Sequence, residues 1–299
     1  MRAAAGPGAM PSPALIFDLP LAHQRSSALC AAIELDVFRA VGQGAAFLDP
    51  GSPACIASIS TFLAAPAMQE PFHHLAAIVR SGRTTSPGDG TVEAENSVWV
   101  EFAHSMAPMM APMTAPLGAI VLAGLSGPVQ VLDIAAGHGL FGIELAKQNA
   151  EARIVAQDWA PVLEVAEGNA ERAGVSDRFR KLPGSAFDVA FGGPYDVVLL
   201  TNFLHHYDRP TCVGLHRKVH GSLKPGGRAA ALEFVPNEDR VSPPMAAGFA
   251  LTMLATTPAG DAYTFRAYEG MYLEAGFVRI TSHPVPAGPH TVVMGERPE

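Results

Sequence analysis

Residues 129–145 read Val-Gln-Val-Leu-Asp-Ile-Ala-Ala-Gly-His-Gly-Leu-Phe-Gly-Ile-Glu-Leu, and this stretch limits what the chain can fold into. An aliphatic run broken by glycine and followed by helix-forming residues predicts a buried strand that turns at once into a helix. Gly137 and Gly139 present no Cβ, so backbone N–H groups of the turn can come close to a bound ligand. The chain therefore places a nucleotide-type site at the carboxyl end of a buried strand.

Which nucleotide is a question of charge. Gly137-x-Gly139-x-x-Gly142 satisfies the dinucleotide fingerprint, and Asp158 lies far enough downstream to hold a ribose, so an NAD-dependent oxidoreductase is one reading. Asp133 argues against it. A carboxylate placed just before the glycines repels a pyrophosphate and attracts the cationic amino-acid end of S-adenosyl-L-methionine (SAM), directly or through water. SAM is accordingly the expected cofactor.

Up to residue 126 the pattern is helical. Leu15, Leu19, Leu29, Ile33, Val37 and Val41 recur at mostly helical intervals, and residues 54–65, 67–80 and 98–125 predict further helices. The last of these is expected to bend or break at Pro108, Pro112 and Pro116, because the proline ring removes a donor. Residues 1–13, rich in Ala, Gly and Pro, read as a disordered leader. From 127 to 299 strands alternate with helices. Strands are predicted at 129–134, 153–157, 179–182, 196–201, 227–234, 278–283 and 291–295, with helices at 139–148, 161–173, 210–222, 243–255 and 265–275. That order predicts an α/β fold: a doubly wound, mostly parallel, Rossmann-like seven-stranded sheet closed by an antiparallel hairpin and preceded by an all-helical region at 14–126.

Polar residues then fall where such a sheet binds ligands. Asp158 ends the second strand, where a carboxylate can accept ribose hydroxyls, and Trp159 can cover an adenine; the plain alternative for Asp158 is a helix N-cap. Ser185, Ala186 and Phe187 follow the third strand, at the adenine edge or in a simple turn. The fourth strand runs into Thr201-Asn202-Phe203-Leu204-His205-His206-Tyr207, so His205 or His206 can take a proton near neutral pH. Two adjacent histidines on a turn do not both face one site, and His206 is read as solvated. Phe102, Met106, Met109 and Met110 lie on the proline-rich helix, where adaptable thioethers suit either an apolar acceptor pocket or core packing. Residues 223–227, Leu-Lys-Pro-Gly-Gly, read as a structural turn.

Composition removes other classes. A net charge of −8 with no basic run leaves no footprint for nucleic acid or an anionic membrane surface. Three cysteines without metal-ligand spacing point to buried thiols in a cytoplasmic protein, and no metal site is expected.

Taken in order, Leu132-Asp133-Ile134-Ala135-Ala136-Gly137-His138-Gly139, Asp158, Asn202-Phe203-Leu204-His205-His206, Leu223-Lys224-Pro225-Gly226-Gly227 and Gly276-Phe277 resemble class I SAM-dependent methyltransferases. With helices ahead of the catalytic half, residues 14–295 are most similar to the two-domain small-molecule O-methyltransferases of plants and bacterial secondary metabolism. The resemblance implies that the segment around Asp133, Ala135, Gly137, Gly139, Asp158, Trp159, Ser185, Ala186, Phe187 and Asn202 binds SAM. It implies that His205, matched to the histidine of a Leu-His-Asp-Trp segment, is the general base. It also implies an acceptor, an aromatic or polyketide-like hydroxyl compound, lined by the methionine helix, and a homodimer joined by the N-terminal helices. Three departures stand out: the winged-helix segment expected near residues 41–49 is missing, Ala135 replaces the first turn glycine, and Ser185 replaces an aspartate. They keep open a non-catalytic dimer or a fold diverted to other chemistry.

Overall fold

The computed structural model describes residues 22–35, 37–38, 48–49, 52, 55–86, 88, 90–93, 98–286 and 288–299. The expected leader at 1–13 and most of the shortened segment at 41–49 lie outside them. The chain divides into two compact units, Met1–Ala64 and Ala65–Glu299. The first contains α1 (Ala22–Glu34) and α2 (Ser58–Ala64).

The second unit opens with α3 (Pro66–His73) and α4 (Leu75–Ser81) where one helix was expected. Pro71 has no N–H to give, and the His74 N–H turns back to the Pro71 carbonyl, so the helix breaks at His74. α5 (Val98–Val121) departs the other way, running unbroken through Pro108, Pro112 and Pro116. Its buried face explains this. Burying Met110, Met113, Leu117 and Val121, at roughly 1.5–3 kcal/mol each, offsets the roughly 3 kcal/mol that each interior proline costs.

The remaining elements alternate as expected: β1 (Gln130–Ile134), α6 (Leu140–Gln148), β2 (Arg153–Asp158), α7 (Ala160–Arg172), β3 (Phe179–Pro183), β4 (Tyr195–Thr201) and α8 (Arg209–Ser222). β5 (Leu223–Phe234), α9 (Pro244–Thr256), α10 (Phe265–Glu274), β6 (Val278–Pro284) and β7 (His290–Glu296) complete the unit. β5 begins at Leu223 rather than 227, so the expected turn is the strand's irregular start, where the register against β4 shifts. The sheet order is β3-β2-β1-β4-β5-β7-β6, parallel except for β7, which runs antiparallel to both neighbours.

The central strands are buried on both faces, as a parallel sheet covered by helices requires. Along β1, Leu132 and Ile134 enter one core with Val198, Leu200, Tyr268 and Tyr272, while Val131 enters the other with Phe141, Leu145, Leu117 and Val121. That alternation matters for Asp133, which shares a face with Val131. Among the described residues no helix is long and apolar enough to cross a membrane.

The helix through the prolines is testable at the exposed Pro112. Pro112→Ala supplies the missing N–H to the Pro108 carbonyl, and thermal denaturation should show a stabilisation of about 1–3 kcal/mol.

Candidate active site

The glycine turn is tied to the end of β2. Gly137 donates its N–H to Asp158 Oδ2 at 2.8 Å, and Trp159 donates to Asp158 Oδ1 at 2.7 Å. Asp158 is thus a clamp on the turn and not the N-cap of α7, which is Trp159. Burial raises the Asp158 pKa to about 6. Gly139 has φ +73°, and a Cβ there would meet Ala166 Cβ at 2.9 Å, so glycine seats the turn on α7. Ala135 holds φ +51° without being glycine.

A cleft opens at this turn, along the carboxyl ends of β1, β2 and β4. Of the expected cofactor residues, Ala135, Gly137, Asp158, Trp159 and Asn202 line it; of the expected acceptor residues, Phe102 and Met110 do. Val92, Trp99, His138, Phe141, Thr201, Phe203, His206 and Tyr207 complete most of its wall. No lysine or arginine is among the lining residues.

Several expectations are corrected by this geometry. Asp133 is fully buried, accepts the Gly142 N–H at 3.1 Å, and does not line the cleft. Burial raises its pKa to about 8, so near neutral pH the carboxyl is mostly protonated and offers no charge to a cofactor. Ser185 turns its hydroxyl to the Phe187 N–H, Ala186 is buried, and Phe187 packs on Phe203 and Tyr207; none of the three reaches the cleft wall. Met106 and Met109 pack against the core beside α5 instead of lining the cleft.

The histidine turn, Leu204–His206, is organised by a residue the sequence reading missed. Glu233, fully buried near the end of β5, accepts the N–H groups of Phe203 at 3.0 Å and Leu204 at 2.8 Å through Oε1. Its Oε2 meets His205 Nδ1 at 2.5 Å. The available signal was a lone acid closing the apolar run Ala-Ala-Ala-Leu, the same pattern that marked Asp158. The ring of His205 also packs edge-on against Phe249.

His206 overturns its reading as a solvated residue. It is 9 % exposed, lines the cleft, and packs edge-on against Trp99. Burial, with the charge of His205 beside it, holds its pKa well below the usual histidine range. Burial also lowers His138 and His290 to about 4. His290, brought in from β7, meets Asn202 Oδ1 through Nε2 at 2.9 Å. The cleft wall is therefore apolar and aromatic, with neutral imidazoles set into it.

Comparison with known proteins fits this arrangement. The O-methyltransferase domain family matches residues 72–278. The 3-amino-4-hydroxybenzoate 4-O-methyltransferase of Streptomyces cremeus is 30% identical over 153 residues, 51% of this chain and 41% of that protein. The acetylserotonin O-methyltransferase of Mus musculus is 26% identical over 262 residues, 84% of this chain and 67% of that one. The chain thus spans about two fifths of the length of the first of these relatives. A solved structure from Nostoc punctiforme PCC 73102, provisionally named an O-methyltransferase, superposes with a TM-score of 0.91 at 40% identity, covering 96% of this chain and 100% of that one.

The burial of Asp133 has a measurable consequence. The folded carboxyl keeps its proton up to about pH 8, whereas an unfolded one releases it near 3.8. The folded state binds more protons between those values, so this group's contribution to stability falls as pH rises across the window. Asp133→Asn keeps an acceptor for Gly142 and has no proton to lose. Relative to wild type, the variant should gain stability on the order of a few kcal/mol between pH 4 and pH 8, read by chemical denaturation at the two ends.

Proposed function

We infer the activity from one premise: the chain belongs to the O-methyltransferase domain family. It transfers a methyl group from SAM to the hydroxyl of a small acceptor. The observation that carries this is the buried His205–Glu233 pair at 2.5 Å, placed on the turn after β4 beside the cleft. With Nδ1 committed to Glu233, the other ring nitrogen of His205 takes the acceptor's proton, and Glu233 fixes the ring and stabilises the charge it gains. With SAM held at the glycine turn, His205 would take the proton of the acceptor hydroxyl as that oxygen accepts the methyl group. When bound, SAM supplies an activated methyl group on a cationic sulfur; the chain supplies position, a proton acceptor and a dry wall.

The turn fits a cofactor without phosphate. The Gly137 N–H, which a pyrophosphate would use, is held by the Asp158 carboxylate, and no lysine or arginine is among the described residues lining the cleft. This disfavours the NAD reading on grounds that replace the Asp133 argument. Asp158 retains lone pairs for ribose hydroxyls, and Trp159 stands beside it to cover the adenine. The names of the relatives support a small aromatic or polyketide-like acceptor, as do the walls formed by Val92, Trp99, Phe102 and Met110.

The proposal includes a homodimer joined by the N-terminal helices. Its support in the first unit is the exposure of Leu29 on α1 and of Leu35 just after it, at 41% and 74%.

Two experiments test these readings. His205→Ala should lose at least about a hundredfold in kcat while binding SAM as wild type does by calorimetry, and Glu233→Gln should fall in the same direction. Asp158→Ala should instead lose SAM affinity, and wild-type affinity should drop as pH falls through about 6, where Asp158 gains its proton. Full turnover by the His205 variant removes the assigned base. For the assembly, light scattering should give a dimer that Leu29→Glu with Leu35→Glu converts to a monomer; an unchanged mass rejects the helical interface.

A further inference from the structure

His290 stands at the start of β7, 88 residues from the turn that leaves β4, and its Nε2 lies 2.9 Å from Asn202 Oδ1. Burial keeps the ring neutral, with a pKa of about 4, so one of its nitrogens carries a proton and the other does not. Its Nδ1 is buried without a partner. Asn202 Nδ2 in turn faces the Met110 sulfur at 3.6 Å. Together these contacts select one orientation of the amide. With Oδ1 toward His290, the imidazole donates from Nε2 and the amide N–H meets a thioether, a weak acceptor. The reverse orientation would set the amide oxygen against that sulfur, lone pairs facing lone pairs. It would also force the imidazole proton onto Nδ1, where nothing accepts it. The backbone is fixed as well, since Asn202 is held at φ +53° with its N–H on the Leu232 carbonyl at 2.8 Å. Asn202 lines the cleft, so what its side chain offers a ligand there is an N–H.

We propose that His290 is a positioning residue: it fixes the Asn202 amide so that its N–H donates to the carboxylate at the amino-acid end of the cofactor. This rests on the methyl-transfer reading above and adds to it a residue from the closing hairpin that does not itself line the cleft. The choice of ligand atom follows from donors and acceptors. The ribose hydroxyls of SAM can donate to the Asp158 carboxylate, whereas the carboxylate of SAM can only accept. No lysine or arginine is among the described residues lining the cleft, so neutral N–H groups are left to meet that charge. Asn202 stands just past the end of β4, two strands from Asp158 at the end of β2, and the glycine turn that leaves β1 lies between them. An elongated cofactor with its ribose at one of these residues can reach the other with its amino-acid arm.

The test is calorimetry of the full chain with SAM and with decarboxylated SAM, which lacks the carboxylate. His290→Phe keeps a ring against Phe234, 4.1 Å away between centroids, and removes the donor. It should lose SAM affinity by at least about tenfold, as expected when a hydrogen bond to a charged group is lost, and bind decarboxylated SAM within about twofold of wild type. His290→Gln, which has an N–H to give, should recover part of the loss. With Asn202→Ala in place, adding His290→Phe should weaken SAM no further, because His290 acts through Asn202. Equal losses for the two cofactors, unchanged SAM affinity, or additive losses in the double variant each overturn the proposal. Should His290→Phe not fold, Asn202→Asp decides: a carboxylate in place of the amide should weaken SAM at least about tenfold more than decarboxylated SAM, and equal changes count against the contact. Label transfer from methyl-labelled SAM to a panel of phenols separates the two readings. The expected binding pattern without label transfer removes the methyltransferase reading and leaves the positioning role. Transfer with SAM affinity untouched by His290→Phe removes the positioning role and leaves the enzyme, and a wild type that binds neither cofactor removes both.

Discussion

One carboxylate holds the reactive end of this molecule together. Glu233 is buried without solvent, a position that is unfavourable for a charge unless several donors face it. It has three: two backbone N–H groups and the Nδ1 edge of His205. The sheet order brings this about, since β5 lies beside β4 and runs on past the last pair, Thr201 with Leu232, so that Glu233 stands level with the turn that leaves β4. A side chain at the end of one parallel strand can therefore receive the turn that leaves its neighbour, which is the general reason ligand sites collect at this edge.

Asp158 repeats the device one pair of strands away. It ends β2 and clamps the turn that leaves β1, as Glu233 near the end of β5 clamps the turn that leaves β4. Each clamped turn also contains a residue other than glycine held at positive φ, Ala135 at +51° and Asn202 at +53°. Such conformations are unfavourable by about 1–3 kcal/mol each and persist only where the surroundings fix them. At Asn202 the fixing is visible. Its N–H goes to the Leu232 carbonyl, its Oδ1 meets His290, and its amide nitrogen faces the Met110 sulfur at 3.6 Å. Strand, hairpin and long helix thus converge on one side chain that itself lines the cleft.

The strands were legible because buried parallel strands are short aliphatic runs, and their order followed from the alternation with helices. Legibility failed where the outcome depended on which way a side chain points. Asp133 occupies a strand end as Asp158 does, yet it faces α6 and spends its carboxyl on the Gly142 N–H, because it shares a face with Val131. Of the four methionines at 106, 109, 110 and 113, only Met110 reaches the cleft, since the angle of α5 against the sheet decides which one does. The prolines of α5 obeyed local rules in the sequence and lost to burial in the fold. The partners of Glu233 and His290 were hidden for a different reason: the two pairs meet across 28 and 88 residues of chain respectively, so the acid closing the apolar run marked Glu233 as a strand-end carboxylate without saying what it would hold.

The cleft is consequently a place of low charge and high order. Neutral imidazoles at positions 138 and 206 share it with Trp99, Phe102 and Met110, His290 backs its Asn202, and a buried Glu233 stands behind His205. Removing water from such a wall strengthens each hydrogen bond that remains. It also makes the placement of donors matter more than their number. On the proposed assignment of His205 as base, a proton leaving an acceptor hydroxyl would create a cation with Glu233 already in contact, so charge separation would be confined to one pre-formed pair. The neighbouring imidazole carries no charge to oppose it. Adjacent residues of the same type thus stand in different states on one turn: one histidine is tied to a carboxylate and the other is left neutral, with an unpartnered nitrogen.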